Sequence, residues 1–152
     1  MARIKAFRFI WTDAWFRIDE GYDSILEISD SGKVSIQFLI NKEQFQFDLT
    51  DKEDEFIEKM TLLKKWNQRE YHNYDILDGT AWRLYFTYDD TVIVSSGMNG
   101  FPSNFLDFLA ILHHFNVPKS RFEADEKWIK REIKHTKIAD NPNMDSIAMY
   151  YI

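Results

Sequence analysis

Apolar and polar residues alternate with a period of two through much of the first third of the chain, the pattern of half-buried strands. Phe7, Phe9 and Trp11 share one face of the stretch Ile4 to Trp11. Ser24 to Ser29 reads as a short strand, and Asp30-Ser31-Gly32-Lys33 supplies a turn. Val34, Ile36, Phe38 and Ile40 then face one way, Asn41-Lys42-Glu43 turns the chain, and Phe45, Phe47 and Leu49 alternate with Gln46 and Asp48. Residues 4–49 therefore predict an antiparallel meander, with 12–21 irregular or partly extended.

The period changes after Leu49. Thr50 to Glu53 has the spacing of a capping box, and Phe56, Met60 and Leu63 follow at helical intervals, predicting a helix over 51–66. Gln68 to Leu77 reads as a connection. Asp78-Gly79 turns into a strand carrying Trp82, Leu84, Phe86 and Tyr88 on one face, and Asp89-Asp90 closes a hairpin onto Val92 and Val94. Gly97 to Pro102 is a tight loop. Ser103 is placed to cap a helix over 103–115 bearing Phe105, Phe108, Leu109, Leu112 and Phe115, and Pro118 stops it. From Phe122 to Lys137 a thin apolar stripe (Trp128, Ile129, Ile133) runs beside a basic one (Lys127, Lys130, Arg131, Lys134) and predicts a further helix. The expected architecture is one α+β domain over 1–152, an antiparallel sheet of about six strands with two helices packed on one face and a peripheral C-terminal helix. Within it, 1–118 forms the core and 119–152 the periphery.

With these elements placed, the segment Leu63 to Phe115 resembles a family of uncharacterised small bacterial proteins, mostly from Gram-positive species. The shared pattern is Trp-Asn, then Leu-Asp-Gly-x-x-Trp-x-Leu, then Gly-x-Asn-x-x-Pro-x-x-Phe. The matching positions are Trp66, Asn67, Leu77, Asp78, Gly79, Trp82, Leu84, Gly97, Asn99, Pro102 and Phe105. The resemblance implies a common strand, turn and helix spine. It implies no activity and no cofactor, and it does not extend past Pro118.

Composition narrows the functional classes. The chain of 152 residues has no cysteine, which removes disulfides, thiolate metal sites and a cysteine nucleophile, and suits a reducing compartment. The start of the chain lacks the apolar run of a signal peptide and nothing has the length of a membrane span, so a cytoplasmic location is expected. Net charge is −6 but uneven: −7 over residues 1–118, +3 over 119–137 and −2 beyond. An acidic body disfavours nucleic acid as a partner.

No phosphate loop or nucleophile elbow occurs among the 5 glycines. His113 and His114 are adjacent and diverge on a helix. His72, His114 and His135 read as structural or solvated, with a weak metal pair of His72 and Asp75 as the alternative. The paired carboxylates Asp19-Glu20 and Asp89-Asp90 read as solvated turns. No catalytic residue, cofactor site or metal site is therefore expected. The 25 aromatic rings (13 Phe, 7 Tyr, 5 Trp) are the residual signal, because exposed Tyr and Trp anchor protein interfaces. The candidate partner or ligand surface is Tyr71, Tyr74, Asp78, Trp82 and Asn99. The leading expectation is a non-enzymatic protein-binding module, immunity-like or inhibitor-like. The alternatives are a small-molecule pocket or weak enzyme near Asp78, Tyr74 and Asn99, and self-association of the 119–137 segment with an acidic face.

Overall fold

A computed structural model describes residues 3–13, 33–73 and 79–144, and the backbone of 22–28. The chain runs β1 (Ile4–Asp13), β2 (Tyr22–Ile28), β3 (Val34–Ile40), β4 (Glu43–Asp48), α1 (Glu53–Lys59), a 3-10 segment (Met60–Trp66), β5 (Arg69–His72), β6 (Thr80–Tyr88), β7 (Thr91–Met98), α2 (Phe105–His114), a short 3-10 turn (Arg121–Ala124), α3 (Glu126–Lys134) and β8 (Lys137–Asp140). The fold is α+β. Its sheet has eight strands in the order β4-β3-β2-β1-β6-β7-β5-β8, more than the six expected, and is mixed, because β5 pairs parallel with β7.

The meander and the β6–β7 hairpin form where alternation is strict. Ile4, Phe7, Phe9 and Trp11 are all buried on one face of β1. Ile4 joins the odd-numbered residues there because the pairing with β6 shifts register between Ile4 and Ala6, and such an irregularity reverses the alternation. The β3–β4 turn is Asn41-Lys42, both with positive φ, as a two-residue hairpin requires.

The two strands missed in the sequence, β5 and β8, are four residues long, and three of the four residues of β5 are polar or charged (Arg69, Glu70, His72). They are strands because neighbours pair with them. Asn67 Oδ1 accepts from Val94 N–H at 2.9 Å and Gln68 N–H donates to Val94 O at 2.7 Å, which starts the parallel ladder.

Helical expectations need four corrections. The helix over 51–66 divides at Lys59, because Met60, Leu63 and Trp66 recur every third residue and the threefold 3-10 turn lines them up against the core. Thr50 makes no capping box: its hydroxyl accepts from Val34 N–H at 3.2 Å, and α1 begins after Lys52 without a side-chain cap. Ser103 does not cap α2, whose N-cap residue is Asn104. The late segment is not a single peripheral helix. Asp125 accepts from Trp128 N–H at 2.9 Å and starts a new helix. Ile129 and Glu132 of α3 are buried, and Trp128 meets Phe101 edge-on.

α1, the 3-10 segment, α2 and α3 all contribute to one apolar cluster with β1, β3 and β6. Trp11, Trp66, Trp82, Phe101, Phe105 and Phe108 form a continuous ring network inside it, with Trp66 stacked on Phe105 at 5.9 Å. The aromatic surplus of these residues is therefore core, in place of the exposed patch anticipated. A smaller cluster of Val94 and Met144, with Tyr85 against it, lies apart.

Candidate functional site

Three of the five residues chosen from the sequence are described, and all three are buried. Tyr71, Trp82 and Asn99 are 3%, 1% and 4% exposed, so none stands out from the surface as an exposed anchor. Tyr74 and Asp78 lie outside the described residues, as do Asp75, Trp15, Phe16 and the Asp19-Glu20 pair.

Asn99 sits at φ 58°, where asparagine is better tolerated than most residues. Its Oδ1 accepts from Thr80 N–H at 2.9 Å, and its own N–H donates to Thr80 O at 2.8 Å. A Cβ on Gly79 would stand 1.8 Å from that Oδ1. Trp82 Nε1 donates to Gly100 O at 2.9 Å, and a Cβ on Gly97 would lie 2.1 Å from the same nitrogen. Trp66 Nε1 donates to Asn104 Oδ1 at 2.7 Å. The polar positions of the Trp-Asn, Gly-x-x-Trp and Gly-x-Asn pattern therefore splice backbone segments together.

The titratable clusters also hold the fold. His113 contacts Val117 O through Nδ1 at 2.7 Å and the Glu123 carboxylate through Nε2. Glu123 accepts in turn from Ser120 N–H at 2.7 Å. Its bond to Glu123 raises the His113 pKa above the usual imidazole value, against the opposing effect of burial. His72 Nε2 lies 3.2 Å from Glu70 Oε2, and Asn141 donates to Glu70 Oε1 at 2.9 Å. The Asn141 bond chiefly holds the Glu70 carboxyl below its ordinary range. Asp89 pairs with Arg3, which lowers its pKa, and Arg3 also reaches Asp54. Glu132, interleaved with the basic stripe of the late segment, is buried and accepts from Asn73 Nδ2 at 2.6 Å. Among the described residues, no group of three or more His, Cys, Asp or Glu side chains is placed to hold a metal ion. No helix among them is long and apolar enough to cross a membrane.

One concave feature adjoins an open sheet edge. A groove of about 340 Å³ is floored by Trp66, Tyr71 and Phe101 and walled by Ile133 and Ile138. Its volume is near the lower end for ligand-sized clefts. Lys65 and Arg69 supply its cations, Ser103, Asn104 and Thr136 its neutral polar groups, and among the described residues no carboxylate lines it. Burial raises the Tyr71 phenol pKa, with Arg69 opposing.

Beside the groove, β8 ends the sheet among the described residues, and all four of its residues are exposed. Asn141 N–H donates to Gln68 O at 2.7 Å, which sets the phase of the β5–β8 ladder. Residue 139 therefore bonds toward β5, and the N–H and C=O groups of Ile138 and Asp140 point away from it, as alternation in an antiparallel pair demands. Ile138 is 57% exposed and shares the groove with Tyr71, its register partner. Sequence reasoning missed this site because its walls come from three distant segments, and its one local signal, an apolar Ile138 after the basic stripe, is weak. Compared with known proteins, the chain matches no family model, no curated protein and no solved structure.

Proposed function

We propose that this chain is a non-enzymatic protein-binding module whose contact surface is the β8 edge and the groove beside it, and that the partner contributes an extended segment as a ninth strand. The supporting observation is this edge, which pairs with no further strand among the described residues: Ile138 and Asp140 offer outward backbone groups next to a groove of mixed apolar and cationic lining and an exposed isoleucine. Edge strands are templates for pairing unless covered or blunted, and β8, though short and carrying Lys137 and Asp140, keeps outward backbone groups at Ile138 and Asp140 beside the groove. The opposite edge, β4, carries Glu43, Gln44, Gln46 and Asp48 on its exposed positions, and none of its residues lines the groove.

An immunity-like or inhibitor-like role is one version of this reading, and the cysteine-free composition suits a reducing compartment for it. Backbone pairing gives affinity, and the groove gives selectivity through alternate side chains of the added strand.

Selection from a displayed library of random decapeptides tests the proposal. Enriched peptides should bind the native chain and lose binding to Asp140→Pro, which removes one outward donor without touching the β5 ladder. Asp140→Asn should retain binding. No enrichment, or equal binding to the proline variant, would overturn the reading. Self-pairing of two β8 edges would appear instead as a dimer in light scattering.

A further inference from the structure

We infer that the segment docking on β8 is acidic: it places an aspartate or glutamate side chain over the groove at Lys65 and Arg69, with an apolar residue next to it on the same face. This rests on the strand-addition reading above and specifies its partner's chemistry.

Three observations converge on a negative occupant. Among the described residues, Lys65 and Arg69 both line the groove and no carboxylate does, in a chain whose net charge is −6. Asp140 lies 3.6 Å from Arg69 Nε with an almost fully exposed side chain, a loose exposed pair of small strength. The start of α2 opens onto the same groove through Ser103 and Asn104. Asn104 Oδ1 is engaged by Trp66 Nε1, and no side chain caps the first turn of α2, so the positive end of that helix, offset in part by Asp107 of the same turn, adds to the field of the two cations.

The phase of β8 places the acid. Ile138 and Asp140 lie on the groove face with Arg69 and Tyr71, because these are the directly opposed pairs. A strand added beyond β8 runs about 4.8 Å further out, and every second side chain of it faces the same side. In the proposed register one such side chain is directed past the exposed Asp140 toward Arg69 and Lys65, and its neighbour on that face toward Ile138. The basic stretch 119–137, with net charge +3, extends the complementary field for the approach of an acidic partner.

The peptides enriched from the decapeptide library give the test. The expected result is an aspartate or glutamate in register over the groove, with a β-branched or aromatic residue next to it on the same face. Lys65→Glu, an exposed substitution that leaves the core intact, should weaken these peptides about tenfold and shift selection toward lysine at that position. Replacing the peptide acid by its amide should weaken native binding several-fold, and the difference should shrink as salt rises. Peptides that lose binding to Asp140→Pro yet contain no acid, or that bind Lys65→Glu unchanged, would overturn this inference and leave the strand-addition reading standing. Peptides indifferent to Asp140→Pro would overturn both. Equal binding of a dodecathymidylate would also overturn it, since the groove would then be reading phosphate charge from a nucleic acid.

Discussion

Asn99 shows how a motif that resembles a ligand site serves the backbone. Its side-chain oxygen is committed to Thr80 N–H, and its left-handed φ has a steric cost for residues other than glycine and asparagine. Asn99→Ala removes the acceptor of a buried donor and keeps the unfavourable φ, and is expected to cost about 2–4 kcal/mol in denaturant unfolding. Asn99→Gly relaxes φ and loses the acceptor only, so its cost should be smaller by about 1 kcal/mol. Equal stabilities for the two variants would refute the assignment. Gly97→Ala, which drives a methyl group against the Trp82 ring, should cost about 1–3 kcal/mol by overpacking.

His113 makes a second prediction at the same scale. Protonated, the ring donates to both the Val117 carbonyl and the Glu123 carboxylate. Its folded pKa is raised above the unfolded value, so its contribution is fully present below about pH 6.5 and is lost as pH rises through the higher folded value. Native protein should therefore lose stability across that window relative to His113→Gln. Unfolding midpoints measured from pH 5 to pH 8 check this, and parallel curves for the two proteins would contradict it.

At the scale of elements, the 3-10 segment is the most demanding prediction. Met60, Leu63 and Trp66 form one buried line only if the turn tightens to three residues. Leu63→Ala should cost about 2–5 kcal/mol, as for other fully buried leucines. Trp66→Phe should retain most packing but leave Asn104 without its indole donor, at about 1 kcal/mol. A cost for Leu63→Ala below 1 kcal/mol would mean that this face is not packed against the sheet.

The same scale explains what could be read from the chain. β3 and β6 were legible because about seven residues alternate in each, and β1 because Phe7, Phe9 and Trp11 alternate past its irregular start. α2 was legible because Phe105, Phe108, Leu109 and Leu112 share one face. Thr50 misled because a hydroxyl three residues before a glutamate has two possible partners, and here tertiary contact with Val34 prevails over the local cap. β5 and β8 were illegible because four residues do not define a period, and their strand character is conferred by Val94, Gln68 and each other. The groove was less legible still. Tyr71 and Trp82 attract attention as aromatic residues beside turns, yet residues 65–71, 101–104 and 133–138 meet only after the sheet has formed. Burial of Glu132 beneath α3 likewise follows from Asn73 arriving from β5, which no helical pattern encodes.

For the whole molecule, most large rings are used in one continuous cluster that joins the helices to the sheet, and polar residues of the motif lock its loops. What this leaves open is an edge. The chain is acidic as a whole, while the groove at β8 is cationic and the stretch that leads into it is basic. That contrast favours a partner with an acidic extended segment over a self-pairing chain. Light scattering should accordingly give a monomer at low and moderate salt, and a dimer that persists when Asp140→Pro is introduced would point to another contact surface.

Amide-resolved hydrogen exchange of the native chain, with and without a peptide enriched on it, tests the central claim most directly. The account predicts that Ile138 and Asp140, whose N–H groups point outward from β8, gain protection on binding, while Ala139, already bonded to β5, changes little. Protection confined to β4, to the outer helices or to neither edge would contradict it.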